Sequence, residues 1–450
     1  MGLLSRHPAI KAASPQAPIS DWFKGDDFRH NGAFYLNSAF PFYYVFGKKR
    51  DSLTTKWGQS FQFPHENGYK FYLETGALKN FNEKYLRDSV KFWLEVTEND
   101  TYNDFWKART TIPHLKNINT PTLTVGGLFD AEDCYGAWKT YEAIENNTPD
   151  NLNFLVMGPW FHGGWERSDG DSLGSIYFGS KTSDYYNDSI LVPFFSYFLK
   201  GKGRGYFTEA AVFETGANKW NKYDKWAPAN TQSKRFYFNP GGFLTDSIPA
   251  KWNYDEFISD PAKPVPFTKN DSRRMNREYM VEDQRFLMGR PDVLTYYSDV
   301  LDSDLTVSGE IEADIYVSTS STDADWVVKL VDVFPENDPE LADTLRGFEM
   351  LVRGEPFRGK FRNSFEKPEP FIPDRVTNIR FKMPAVNHTF KAGHRIMVQV
   401  HSSWFPLVDR NPQKFMEIHK AGDADYIKAI HRMFYGEKAA SSIILPVRNR

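Results

Sequence analysis

Three observations predict an α/β domain with a helical cap, followed by a C-terminal β-sandwich of jelly-roll type. Two apolar runs closed by glycine, at residues 122–127 and 154–158, flank one helix-like stretch. Residues 38–118 repeat apolar side chains at helical spacing, and beyond residue 230 the repeat changes to strict alternation.

Taken in order, residues 9–14 form a short apolar run that reads as a buried strand, ending in a loop rich in acids and aromatics (Asp21, Trp22, Phe23, Asp26, Asp27, Phe28). In the next stretch Phe81, Tyr85, Asp88 and Phe92 share one helical face, with Leu78, Leu86, Val90, Trp93 and Leu94 on neighbouring faces. This predicts a helical cap over 38–118. The run Thr122-Leu123-Thr124-Val125-Gly126-Gly127, a helix from 132 to about 144, and the run Phe154-Leu155-Val156-Met157-Gly158 make a strand–helix–strand unit. Continuous apolar strands around a helix signal a parallel pair buried on both faces, whose carboxyl ends lie on one edge of the sheet. Beyond the loop 226–230, strand-like runs at 305–317, 326–333, 348–352, 379–383, 395–400 and 443–447 are separated by Pro, Gly, Asn and Asp. Many short strands with such punctuation mean a sandwich or jelly roll. The division expected is therefore 1–230 and 231–450.

Composition narrows the function. The 450 residues are 40% hydrophobic and 16% aromatic, the makeup of a folded chain with a large core. A net charge of −3 without any Lys/Arg-rich run excludes nucleic acid as the expected partner. No apolar run is long enough for a transmembrane helix, so no membrane partner is expected. The single cysteine, Cys134, allows neither an internal disulfide nor a cysteine-based zinc site. No metalloprotease helix, EF-hand loop, P-loop or dinucleotide glycine pattern occurs, so no metal and no cofactor is expected.

The chemistry concentrates in Gly126-Gly127-Leu128-Phe129-Asp130 and Gly158-Pro159-Trp160-Phe161-His162. Each segment carries a polar residue just past the end of a parallel strand. In an α/β-hydrolase the triad acid and histidine occupy those two places, in that order, after the nucleophile. A buried carboxylate there fixes the imidazole tautomer, leaving the other ring nitrogen to take the nucleophile's proton. Taken alone, an Asp in that position commonly caps the following helix, and a His in a Gly/Pro loop is commonly a plain polar residue. Ser172, in Gly170-Asp171-Ser172-Leu173-Gly174, has the spacing of a nucleophile elbow, but it follows His162 and no apolar strand leads into it. Ser60, after Gly58-Gln59, lacks that strand as well.

These segments resemble the acid and histidine segments of the CocE/NonD hydrolases, the Xaa-Pro dipeptidyl-peptidase-like family. The segment at 127–133 and that at 158–165 carry the likeness most strongly, and the segments at 7–18, 193–201 and 307–335 extend it. Within the family, the chain is most similar to α-amino-acid ester hydrolases and glutaryl-type acylases. The resemblance implies an α/β-hydrolase domain, a galactose-binding-like jelly roll, and a Ser-His-Asp acyl-enzyme route with Asp130 and His162 catalytic. The implied substrates are acyl or α-amino-acyl esters, amides or peptides. In relatives the serine sits in a Gly-x-Ser-Tyr-x-Gly elbow upstream of the stretch resembling His7-Pro8-Ala9. The expectation is thus that this chain lacks the nucleophile, its oxyanion-hole groups and the first strands. It would then be inactive by itself and poorly soluble, because an unpaired sheet edge invites aggregation. The alternative is a non-catalytic chain that binds a ligand or complements another subunit. The resemblance further suggests Asp104 as a member of an ammonium-binding carboxylate cluster, and Trp22, Asp26 and Asp27 as residues of a loop bordering the pocket. It is compatible with a homo-oligomer and with export to the periplasm or medium.

Overall fold

The computed structural model describes residues 1–449 except 51, 57, 149 and 206. Strand Thr122–Gly127 runs parallel to Asn153–Gly158, in register from Thr122 opposite Asn153 to Gly127 opposite Gly158, and every residue of both is buried. Between them, helix Cys134–Asn147 covers the sheet with Ala137, Trp138 and Tyr141, the spacing of one helical face, while Ile144 packs on Leu115 and Ile118. Ala210–Glu214 extends the sheet in parallel and Lys219–Tyr223 closes it antiparallel.

The apolar run at 9–14 is half-exposed rather than buried. Its continuation lies parallel to the outer edge of Thr122–Gly127, where the Leu123 and Val125 amides donate to the carbonyls of Ala13 and Pro15. The segment 13–17 is thus the outermost strand of this sheet among the described residues. Pro15 has no N–H for the Leu123 carbonyl, which accepts from the Ser14 hydroxyl instead, and the pairing resumes where the Ala17 amide donates to Val125, just before Pro18.

The stretch 38–118 is helical in pieces: Leu36–Phe46, Gly68–Thr75, Leu78–Phe81, Lys91–Glu98 and Asp104–Lys107. The continuous face expected from Phe81 to Phe92 is broken at Arg87 and Asp88, whose φ values are 49° and 57°. Both sides of the break nevertheless bury their aromatics. Phe40 sits 4.8 Å from Phe61, 5.0 Å from Phe81 and 6.0 Å from Trp93.

The β-sandwich begins at Thr231. One sheet of eleven strands, ten along a hydrogen-bonded path and Thr377–Phe390 branching from Leu305–Thr319, includes every run predicted beyond 300, with Leu305–Thr319 its longest member. Thr231–Asn239, Asn253–Ser259, Leu294–Tyr297 and Ala429–Tyr435 are strands that alternation did not disclose. Asn253–Ser259 ends the path, and most of its side chains face water, so its sequence lacks an apolar stripe. Strand Asp325–Val333 is buried on both faces. Val328 and Leu330 join the sandwich core with Ile315 and Val398, whereas Val327 and Val331 join a second core with Leu128, Phe129 and Met157 of the α/β part.

That junction holds buried charge. Arg358 is bidentate to Asp325 at 3.0 and 2.8 Å and reaches Asp409 at 2.7 Å, and Asp409 in turn accepts from the Phe34 amide at 3.1 Å. Removing one member of a buried set strands the others. Arg358→Met is expected to cost about 3–5 kcal/mol in guanidinium unfolding, and a loss below about 1 kcal/mol would show that the two carboxylates are stabilised by other groups.

Candidate active site

The two loops that carry the predicted residues are locked together by backbone contacts. The Leu128 amide donates to the Gly158 carbonyl at 2.8 Å and the Phe129 amide to the Trp160 carbonyl at 3.0 Å. So close an approach needs glycine at 127, because a Cβ there would lie 2.2 Å from the Trp160 carbonyl oxygen.

Asp130 and His162 meet across these loops. Nδ1–H of His162 donates to Oδ2 of Asp130 at 3.1 Å, while Oδ1 accepts from the Glu132 and Asp133 amides at 2.9 Å each. One carboxylate thus caps the turn leading into the helix and orients the imidazole. The Asp130 side chain is fully buried and that of His162 is 33% exposed. With Nδ1 committed to Asp130, Nε2 makes no hydrogen bond among the described residues and is the nitrogen available for proton transfer.

Carboxylates crowd this ring. Asp133 Oδ2 lies 3.5 Å from Nδ1, and Asp27 and Glu132 act on it through their charge. Burial disfavours a charged imidazole, but the Asp130 hydrogen bond and the charges of Asp130, Glu132 and Asp27 outweigh it and lift His162 to about 9. Burial raises Glu132 to about 7 and Asp27 to about 6; the imidazole opposes both shifts and Asp130 reinforces them. Burial, then Asp27 and Asp130, push Asp133 well above its ordinary range.

The structure places the other predicted residues around this centre. Asp26 is fully buried and accepts from the Ser20, Asp21 and Gly136 amides at 2.7–2.8 Å. It ties the loop to the first turn of helix Cys134–Asn147 and so presents its neighbour Asp27. Trp22 packs on Phe28 and Phe92, 5.2 and 6.0 Å away. Asp104 is exposed at the start of a short helix. Ser172 lies in a two-residue strand, its hydroxyl bonded to Asp171, with no strand-to-helix turn. Of the pocket-bordering residues suggested by the resemblance, Asp27 acts on the ring; sequence reading missed Glu132 and Asp133 as members of the centre. For these two the signal was the Asp-Ala-Glu-Asp string itself.

His162 opens onto a cavity of about 420 Å³ lined by Phe129, Glu132, Phe161, Arg167 and residues 275–278. A neighbouring cavity of about 440 Å³ shares Glu132 and Met275 and runs along Ser38, Pro41, Phe42, Phe46 and Ser60. Among the described residues no three His, Cys, Asp or Glu side chains form a metal-holding group, and no helix is long and apolar enough to cross a membrane.

An acid and a histidine at the carboxyl ends of adjacent parallel strands, with a jelly roll packed beside them, define an α/β-hydrolase with an appended β-sandwich. The sequence profile of the X-Pro dipeptidyl-peptidase (S15 family) matches residues 1–164, and that of the X-Pro dipeptidyl-peptidase C-terminal non-catalytic domain matches residues 208–444. The chain belongs to this family of serine hydrolases. Cocaine esterase of Rhodococcus sp. (strain MB1 Bresler) is 27% identical over 370 residues, an overlap that covers 79% of this chain and 61% of that protein. The chain thus spans about three-fifths of that relative's length. An aminopeptidase from a marine sediment archaeon, Thaumarchaeota archaeon, superposes with a TM-score of 0.93 at 36% identity, covering 99% of this chain and 73% of that one. An α-amino acid ester hydrolase superposes with a TM-score of 0.91 at 35% identity, covering 99% and 74%. A CocE/NonD family hydrolase from Staphylococcus aureus shares the fold at 14% identity, with a TM-score of 0.62.

The raised acids have a measurable cost. Glu132 ionises near 4.5 in the unfolded chain and at about 7 in the fold. Its stabilising contribution is complete below the lower value and is lost as pH rises through the higher one. Glu132→Gln is therefore expected to raise the melting temperature by a few degrees at pH 8 and hardly at pH 5, read by scanning fluorimetry. An equal change at both pH values would mean that Glu132 ionises normally.

Proposed function

We propose that Asp130 and His162 are the acid and base of a Ser-His-Asp hydrolase acting on α-amino-acyl esters, amides or short peptides, and that the serine comes from polypeptide outside residues 1–450. One observation carries the substrate class: Asp27, Glu132 and Asp133 cluster with Asp130 around a single imidazole beside a cavity. With Asp130 committed to the ring, Asp27 and the partly ionised Glu132 leave negative charge beside it, while burial favours the protonated form of Asp133 and Arg167 and Arg277 stand on the cavity wall. The free ammonium of an amino-acyl group supplies the missing positive charge, in a site dry enough for the pairing to count. The names of the aminopeptidase and the α-amino acid ester hydrolase point the same way.

In this mechanism the serine attacks the acyl carbon while His162 takes its proton at Nε2 and then returns it to the leaving group. Asp130 holds the tautomer and stabilises the charged ring. The ammonium, held by Glu132 and Asp27, partly neutralises the field that keeps the imidazole protonated, so binding of substrate lowers its proton affinity and leaves Nε2 free to take the serine proton.

The test compares this chain with a version extended upstream through the elbow, on a p-nitrophenyl α-amino-acyl ester and its N-acetylated twin, with fluorophosphonate labelling alongside. The extended enzyme is expected to turn over and label, and to favour the free amine by about tenfold or more in kcat/KM. Asp130→Asn should lower kcat by about 10⁴, and His162→Ala should abolish labelling. Equal turnover of the acetylated ester would remove the ammonium site. Labelling of residues 1–450 alone would place the nucleophile inside them, with Ser38 and Ser60 beside Glu132 the serines to replace.

A further inference from the structure

Strand Glu349–Arg358 of the β-sandwich reaches into the α/β part. Opposite Asp325–Val333 its register slips between Leu330, which faces Arg353, and Val331, which faces Leu351. This leaves one extra residue in a β-bulge, a device that re-aims side chains. Beyond the bulge, Arg353 and Glu355 both point away from the sandwich core. Glu355 accepts from Nδ1 of His30 at 3.0 Å, three residues from Asp27.

Arg353 is 2% exposed. Its Nη2 donates to the Leu128 carbonyl at 2.8 Å and, more weakly, to the Ala385 carbonyl at 3.3 Å. Its buried Nε has no hydrogen-bond partner, and no carboxylate pairs with it within 4 Å among the described residues. Burying a guanidinium against two carbonyls is an expensive way to hold two layers together, since an apolar side chain of that size commonly does so at least as well. What the guanidinium adds is direction. The Leu128 N–H is already anchored to Gly158, so a donor on the Leu128 carbonyl fixes that residue's backbone from both sides, two residues before Asp130.

We propose that Arg353 is a positioning residue: through the Leu128 carbonyl it sets the loop that aims Asp130 at His162, making the β-sandwich part of the active-site framework. Its catalytic meaning rests on the hydrolase reading above; its geometric meaning does not. A displacement of about 1 Å at a reacting group is enough to cost about a hundredfold in rate, and the 3.1 Å Asp130–His162 bond leaves little room for such a shift.

The experiment is a histidine Cε1–H NMR titration of the 450-residue chain, read together with its melting temperature. The groups facing the His162 ring are Asp130, Asp133, Glu132 and Asp27, with Arg167, Arg277 and Glu278 on the cavity wall, and Arg353 makes no hydrogen bond to the ring. In the parent chain His162 should titrate at about 9. Arg353→Met, which keeps the apolar stem and removes the donors, is expected to lower the proton affinity of His162 by about tenfold or more. Arg353→Lys, which restores one donor, should recover part of that loss. If Arg353→Met does not fold, Arg353→Gln, too short to reach Leu128, replaces it with the same expectation. A lowered melting temperature with an unmoved His162 midpoint overturns the proposal and leaves Arg353 a purely structural residue. Asp130→Asn separates the two readings: if it too leaves the midpoint at about 9, the Asp130–His162 pairing itself is wrong, whereas a drop there with none in Arg353→Met refutes the positioning role alone.

Discussion

A carboxylate buried at the end of a parallel strand has to find a donor for each oxygen, and much of the site follows from how Asp130 does so. Oδ1 takes two backbone amides and Oδ2 takes the imidazole. The amides come from Glu132 and Asp133, so the turn that satisfies Asp130 also brings two more acids to the ring. Gly127 is the other half of the constraint, because only without a Cβ can the acid loop lie against the histidine loop. The same arrangement fixes the electrostatics: burial alone would keep the imidazole neutral, and the bond and charge of Asp130, with Glu132 and Asp27 behind them, reverse that balance.

The second constraint is that the two parts of the chain do not have separate cores. Asp325–Val333 and Glu349–Arg358 bury both faces, one on the sandwich interior and one on the sheet that bears Asp130. Most charged groups caught at this seam are paired, Arg353 excepted: Arg358 with Asp325 and Asp409, Lys360 with Asp100, and Asp332 between His388 and His394. Such pairs add little net stability over apolar packing, yet they tolerate few alternative geometries. Each joins segments distant in sequence, so the shape of the seam is specified by them.

Much of the fold was legible in advance because it rests on local signals. The runs at 122–127 and 154–158 are apolar because parallel strands are covered on both sides, and the Leu305–Thr319 alternation survives because its two faces meet different surroundings. The reading failed where the signal was weaker than the tertiary context. Phe81 to Phe92 keeps helical spacing across a break at Arg87–Asp88, since an aromatic core accepts rings from either side of a kink. Asn253–Ser259 lacks an apolar stripe because it is an end strand facing water. The strand at 9–14 proved a half-exposed edge interrupted by proline.

The sequence by itself determined the fold class and the strand–helix–strand unit, and it placed Asp130 and His162 just past adjacent strand ends, because each depends on periodicity or on a residue's place relative to a strand end. Only the tertiary structure decided which carboxylates share the imidazole, that Asp26 serves the loop while Asp27 faces the ring, that Asp104 stands exposed, and that Arg353 reaches the acid loop from the other domain. Those facts depend on how elements far apart in the chain are superimposed and on the burial that sets each charge. Neither the spacing along the chain nor the type of any single residue carries that information.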